Sequence, residues 1–207
     1  GGIANVAGIV LDLRNNPGGL LTQAVSVADT FISEGLIVYI QGKDASTRKD
    51  YTAGSQSTDL MVPMVTLINA GSASASEIVA GALQDSRRSA ILGERSFGKG
   101  SVQTVIPLSD GSGIKLTTAL YYTPSGRSIQ AEGIAPDIAV AFEAPREDED
   151  KSVVREKDLS RHLEKNGNAA KSSAEINGKA QDMLKRDNQL RLALELVRQL
   201  PRLKALN

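Results

Sequence analysis

Cysteine is absent from these 207 residues, which removes any thiol nucleophile and any disulfide from the fold. Tryptophan is absent too, and aromatic residues make up only 3% of the chain, so stacking platforms for single-stranded nucleic acid are not expected. Lysine plus arginine and aspartate plus glutamate each number 24. That balance lacks the basic surface that a sequence-independent nucleic-acid grip requires. No run of about eighteen apolar residues occurs, so nothing here is expected to cross a bilayer as a helix. Histidine occurs once, as His162 in a highly charged tail, which argues against a Ser-His-Asp arrangement. Missing cysteine leaves the compartment open, because exported bacterial proteins often lack disulfides. The chain opens on Gly1-Gly2-Ile3 with no initiator methionine or signal-like segment, and it is expected to be a piece of something longer.

Charge density divides what is present. Residues 1–142 hold 22 charged side chains, and 143–207 hold the other 26 in fewer than half as many positions. The expected boundary is Glu143 to Asp150, a run with Pro145 and five carboxylates that reads as a solvated linker. Residues 1–142 are therefore expected to form the core domain, and 143–207 a charged linker and helical tail.

Within the core, apolar runs alternate with helical spacing. Strands are expected at Gly8–Leu13, Leu36–Ile40, Val62–Ile68, Ala90–Gly93, Val102–Leu108, Ile114–Tyr122 and Ile134–Phe142, with part of a ribbon at Thr47–Ala53. Helices are expected at Leu20–Ile32 and Glu77–Gln84. Asn15-Asn16-Pro17-Gly18-Gly19 and Asp110-Gly111-Ser112-Gly113 are turn chemistry, and the latter favours a hairpin. Interleaved strands and helices predict an α/β domain with added β-hairpins. In the tail, Asn166–Ser173 is polar and small. Ala180–Leu200 reads as an amphipathic helix with Leu190, Leu194 and Val197 on one stripe. Its polar face is mixed in sign, so it is expected to pack on its own domain or on a second subunit rather than on a membrane.

Two segments carry candidate chemistry. Asn69-Ala70-Gly71-Ser72-Ala73-Ser74-Ala75-Ser76-Glu77-Ile78 presents hydroxyls on a turn between a strand and a helix. Ser96-Phe97-Gly98-Lys99-Gly100-Ser101-Val102-Gln103 holds a lone lysine between glycines. A serine nucleophile needs a base, and with thiol and imidazole set aside a desolvated, neutral lysine is the remaining one. Surrounding glycines and apolar strands are expected to provide that desolvation. The first amides of a helix are free to stabilise developing negative charge, and Gly18-Gly19 offers a second approach for a carbonyl oxygen. By themselves Ser72, Ser74 and Ser76 are ordinary turn and cap residues, and a loop lysine is ordinarily solvated. Ser76 is expected to cap the helix, with Glu77 supporting its N-terminus electrostatically. Asp12 and Arg14 are expected to fix the preceding turn rather than to react.

Set side by side, these blocks resemble the carboxyl-terminal processing peptidases, or tail-specific proteases. The resemblance covers residues 7–140 and rests on Gly8 to Gly19, Gly71 to Ile78, Gly98 to Gln103, Tyr122-Thr123-Pro124-Ser125-Gly126 and Gly133-Ile134-Ala135-Pro136-Asp137, in that order. It implies a ClpP/crotonase-like α/β core and a serine endopeptidase acting near protein C-termini. It also implies a Ser–Lys dyad, with Ser74 as nucleophile, Lys99 as general base and Gln103 orienting the lysine. The backbone amides of Gly19 and Ala75 match the family's oxyanion hole, although the residues alone do not choose between Gly18 and Gly19. No cofactor or metal is implied. Relatives are usually exported, so a periplasmic or cell-envelope location is expected. They also carry a PDZ domain ahead of the core, which nothing before residue 7 can supply. The chain by itself is thus expected to be weak or inactive, with Ser74 and Lys99 beyond hydrogen-bond reach. The tail helix is a candidate homo-oligomer contact. The alternatives are a catalytically silent peptide- or ligand-binding relative and an acyl-CoA enzyme on the same superfold, and the Ser–Lys pair disfavours both.

Overall fold

The computed structural model describes residues 6–55, 60–144, 178 and 180–204. His162, most of the Glu143–Asp150 run and Asn166–Ser173 lie outside the described residues.

Met64–Ile68 (β4) is the spine of the domain. All five residues are buried, as expected of a parallel strand covered on both faces. It pairs in parallel with Ile9–Asp12 (β1) on one side and Ala90–Gly93 (β5) on the other. A short strand, Ile138–Ala139 (β8), completes the sheet in the order β1-β4-β5-β8. Alternate residues of β4 serve opposite faces. Met64 and Ile68 join the core under Leu21–Asp29 (α1) and Ala75–Asp85 (α2), through Ala24, Ala28, Ile78, Val79 and Leu83. Val65 and Leu67 face the tail helix Asn188–Lys204 (α4), where Ala193 and Val197 are buried.

A second, antiparallel sheet runs β3-β2-β7-β6, from Gly35–Gln41 (β2), Lys49–Ala53 (β3), Ser101–Pro107 (β6) and Gly113–Tyr122 (β7). Tyr39 of β2 stacks on Tyr122 of β7 with centroids 4.9 Å apart. The expected hairpin closes between β6 and β7 at 108–112, where Leu108 N–H donates to the Ser112 carbonyl at 2.8 Å.

Three expectations are corrected. The strand at Ile134–Phe142 shrinks to β8, because Pro136 has no N–H to donate and Ile134 N–H is taken by Ser96 Oγ at 2.7 Å. The tail helix breaks at Asp187 into a stretch at 180–186 (α3) and α4. Asp187 Oδ1 accepts the Leu190 N–H at 2.8 Å, a new N-cap that starts α4. Finally, the N-cap of α2 is Ser74 rather than Ser76, which is buried inside the first turn.

Candidate active site

The carboxyl ends of adjacent parallel strands are where ligand sites form in open α/β sheets, because the loops leaving them converge. Here the loops after β1, β4 and β5 carry the three blocks singled out from the sequence. Leu13 continues the β1 pairing, its N–H donating to Leu67 O at 2.9 Å. From there the chain turns through Asn15 at φ 55° and Gly18 at φ 94°. Asn69 at the end of β4 holds this loop, its Oδ1 accepting Asn15 N–H at 2.9 Å while its Nδ2 donates to Asn15 Oδ1 at 3.0 Å. The buried Ser72 hydroxyl donates to the Leu13 carbonyl at 2.8 Å. Ala73 N–H donates to Asn16 O at 3.0 Å. The glycine loop is therefore hung directly on the serine turn.

Ser74 has φ 56° and ψ −115°, a left-handed conformation that costs a non-glycine residue about 1–3 kcal/mol. The chain makes a sharp strand-to-helix elbow there, which holds the half-buried Ser74 above the end of the sheet. Ala75 follows as the first residue of α2, so its N–H has no carbonyl within the helix to bond. Gly18 abuts this elbow. A Cβ built on it would lie 2.6 Å from Ala73 O and 2.7 Å from Ala75 N. Gly19, beyond it, is exposed, with nothing within 4 Å of where a Cβ would stand.

The third loop runs from Glu94 to Gly100. Phe97 N–H donates to Ser72 O at 3.0 Å, and Ala131 N–H donates to Gly98 O at 2.9 Å. These contacts bring the backbone of Lys99 to the serine turn. Its side chain is exposed, not enclosed by apolar strands, because the residues packed around the loop reach the backbone of Gly98 and Gly100 instead. The bonds that join the two loops run through main chain and the Glu77 carboxylate, rather than directly from Ser74 Oγ to Lys99 Nζ. Gln103 lies on β6, exposed, immediately past a bulge between Val102 and Gln103. Such bulges re-aim a side chain beside a site.

A model of peptidase family S41 matches residues 2–140. The chain belongs to that family. Among relatives of this S41 chain is a carboxy-terminal-processing protease of Bartonella bacilliformis, 48% identical over 92% of this chain and 44% of that protein. A chloroplastic C-terminal processing peptidase of Tetradesmus obliquus is 50% identical over 64% of this chain and 28% of that protein. The chain thus spans less than half the length of these relatives. Of solved structures, the photosystem II D1 C-terminal processing protease superposes with a TM-score of 0.63 at 48% identity, over 67% of this chain and 36% of that one. The S41 chain shares the ClpP-like α/β architecture of these structures.

Glu77 is what the sequence reading missed in this S41 chain. It is fully buried and accepts four hydrogen bonds, from Ser74 N–H, Ser96 Oγ, Gly98 N–H and Lys99 N–H. The signal was present as Ser74-x-x-Glu77, the spacing of a capping box. Asp85, at the far end of α2, ties down the Thr123–Gly126 turn. Burial alone would push its carboxyl up, but hydrogen bonds from Thr123 and Ser125, with Arg127 2.5 Å away, hold it below its ordinary range. Among the described residues, no group of three or more His, Asp or Glu side chains could hold a metal, and no helix is long and apolar enough to cross a membrane.

Proposed function

We propose that this chain carries the catalytic residues of a serine endopeptidase that cleaves proteins near their C-termini through an acyl-enzyme on Ser74. Ser74 Oγ attacks the scissile carbonyl carbon while Lys99 Nζ takes the hydroxyl proton. The oxyanion is held by the N–H groups of Gly19 and Ala75, with α2 pointing its positive end at the developing charge. The lysine returns its proton to the leaving amine, the C–N bond breaks, and an ester remains on Ser74. Water then attacks the ester as Lys99 takes its proton, the bond to Ser74 Oγ breaks as Lys99 passes that proton to it, and the product leaves with a new C-terminal carboxylate. Gln103 orients the amine without adding a charge. An exported enzyme of the periplasm or cell envelope is the setting that the family resemblance suggests.

The observation that carries this reading is the strained Ser74 elbow at the head of α2, abutted by Gly18 and joined to the lysine loop. The exposed lysine side chain favours the alternative of a silent peptide-binding relative, because the strands around the loop do not enclose it. In the enzymatic reading, substrate seated across Lys99 supplies the missing desolvation. A fluorophosphonate probe on the natural full-length protein decides between them. Labelling of Ser74 that is lost in Lys99→Ala supports the peptidase, and an unlabelled Ser74 supports the silent relative.

A further inference from the structure

The lysine loop has no strand or helix of its own to hold it, yet its backbone is fixed against the serine turn. Glu77 does this from the third position of α2. Its Oε2 accepts Ser74 N–H at 2.8 Å and Lys99 N–H at 2.8 Å. Its Oε1 accepts Ser96 Oγ at 2.6 Å and Gly98 N–H at 2.6 Å. Ser96 in turn accepts the Ile134 N–H at 2.7 Å, which carries the attachment on into the 131–134 turn. Gly98 sits at φ 91°, with its missing Cβ position 3.1 Å from Ala131 C and Gly133 N. Three of the four donors are main-chain N–H groups, which can only donate, so the residue between them must accept at both oxygens. The side chain is fully buried, and water cannot replace it.

We infer that Glu77 is a positioning residue that sets the backbone of the base against the backbone of the nucleophile, with Ser96 as its brace. The inference rests on Ser74 and Lys99 having the roles proposed above. Only a carboxylate on this arm suits the geometry. Glutamine has one oxygen, so its amide nitrogen must face either the Ser74 and Lys99 donors or the Ser96 and Gly98 donors. Aspartate is one methylene too short to meet both pairs.

The test uses Glu77→Gln and Ser96→Ala in the natural full-length protein. It reads three quantities: the amide proton shifts of Gly98 and Lys99, the thermal midpoint, and the separate values of kcat and KM on a peptide substrate. A positioning role predicts that Glu77→Gln moves both amide resonances upfield and lowers kcat by about a hundredfold or more, since misplacement by about 1 Å costs that much, while KM changes little. Ser96→Ala leaves three of the donors in place and is expected to lose about tenfold, in kcat alone. Should Glu77→Gln not fold, Ser96→Ala carries the decision. Unchanged kcat in a folded variant, or kcat lost only in proportion to the unfolded fraction, overturns the inference. If Lys99→Arg turns over normally, the dyad reading fails instead. The Gly98 and Lys99 amide shifts still report whether Glu77 fixes the loop.

Discussion

Ser74 rises from a strand whose five residues are all buried and leads into a helix that buries nine of its eleven. Lys99, 25 residues on, stands exposed on a loop that enters β6, a strand whose residues from Gln103 onward are all exposed. The serine turn is thus anchored at both ends in close-packed elements, in addition to its own hydrogen bonds. The lysine's place is set by a few directional hydrogen bonds to one carboxylate and to the 129–134 turn, and losing any one of them moves it. The two halves of the site should therefore fail in different ways.

The largest effects sharpen this contrast at its two ends. Ser74→Ala is expected to lose more than about a thousandfold in kcat/KM and, as the lost N-cap of α2, about 1 kcal/mol of stability. Lys99→Arg should be as inactive as Lys99→Ala, because arginine keeps its proton. Steady-state peptide cleavage checks both. A Lys99→Arg variant within a few-fold of the parent would make the lysine a bystander and leave only the serine half standing.

Next in size is the glycine loop, which leans on the well-packed half. Gly18→Ala places a methyl within 2.7 Å of Ala73 O and Ala75 N at a positive φ, so either the loop or the elbow must shift. About a hundredfold loss of kcat is expected, with about 1–3 kcal/mol of stability. Gly19→Ala meets nothing within 4 Å and keeps its amide, so its thermal midpoint should match the parent's. Equal destabilisation by the two substitutions would show that the elbow is softer than its packing suggests.

Gln103→Ala tests the exposed half directly. About tenfold in kcat is expected, less than for a misplaced backbone, because the amine is loosened and not displaced. An unchanged kcat would make Gln103 a surface residue of β6 and nothing more.

The buried strands and both core helices could be read from apolar periodicity, because β1, β4, β5, α1 and α2 owe their form to burial, which composition records. The serine turn was legible for the same reason, lying between two such elements. Ser76 was mistaken for the cap because pattern alone cannot register the positive φ at Ser74. Glu77 was read as one more acidic residue at a helix start. Its four donors come from two separated stretches of chain, the serine turn and the 96–99 loop, and no local pattern shows that convergence. The exposure of Lys99 was missed because flanking glycines signal close backbone approach without saying which side of the loop is covered.

The smallest expected effect lies farthest from the chemistry, where Asp187 joins the tail to the β1 loop. Arg14 donates to Asp187 at 2.6 and 3.0 Å while also pairing with Asp12 at 2.7 Å. Burial alone would raise the Asp187 carboxyl, but hydrogen bonds from Arg14 and Leu190 N–H, with the guanidinium charge, hold it below the ordinary 3.8. A carboxyl with a depressed folded pKa stabilises fully above its unfolded value. That contribution is lost as pH falls through the folded value. Acidification below the ordinary carboxylate range should therefore lower the amide protection factors of α4 before those of α2. Asp187→Asn keeps an oxygen for the Leu190 cap but gives up the ion pair. Its cost at neutral pH should be about 1 kcal/mol, because Arg14 keeps its ion pair with Asp12 and its bond to Gln189. The difference in thermal midpoint between Asp187→Asn and the parent should close on acidification. A difference that stays constant with pH would mean that Asp187 holds the tail by capping α4 alone, and that its ion pair with Arg14 adds nothing.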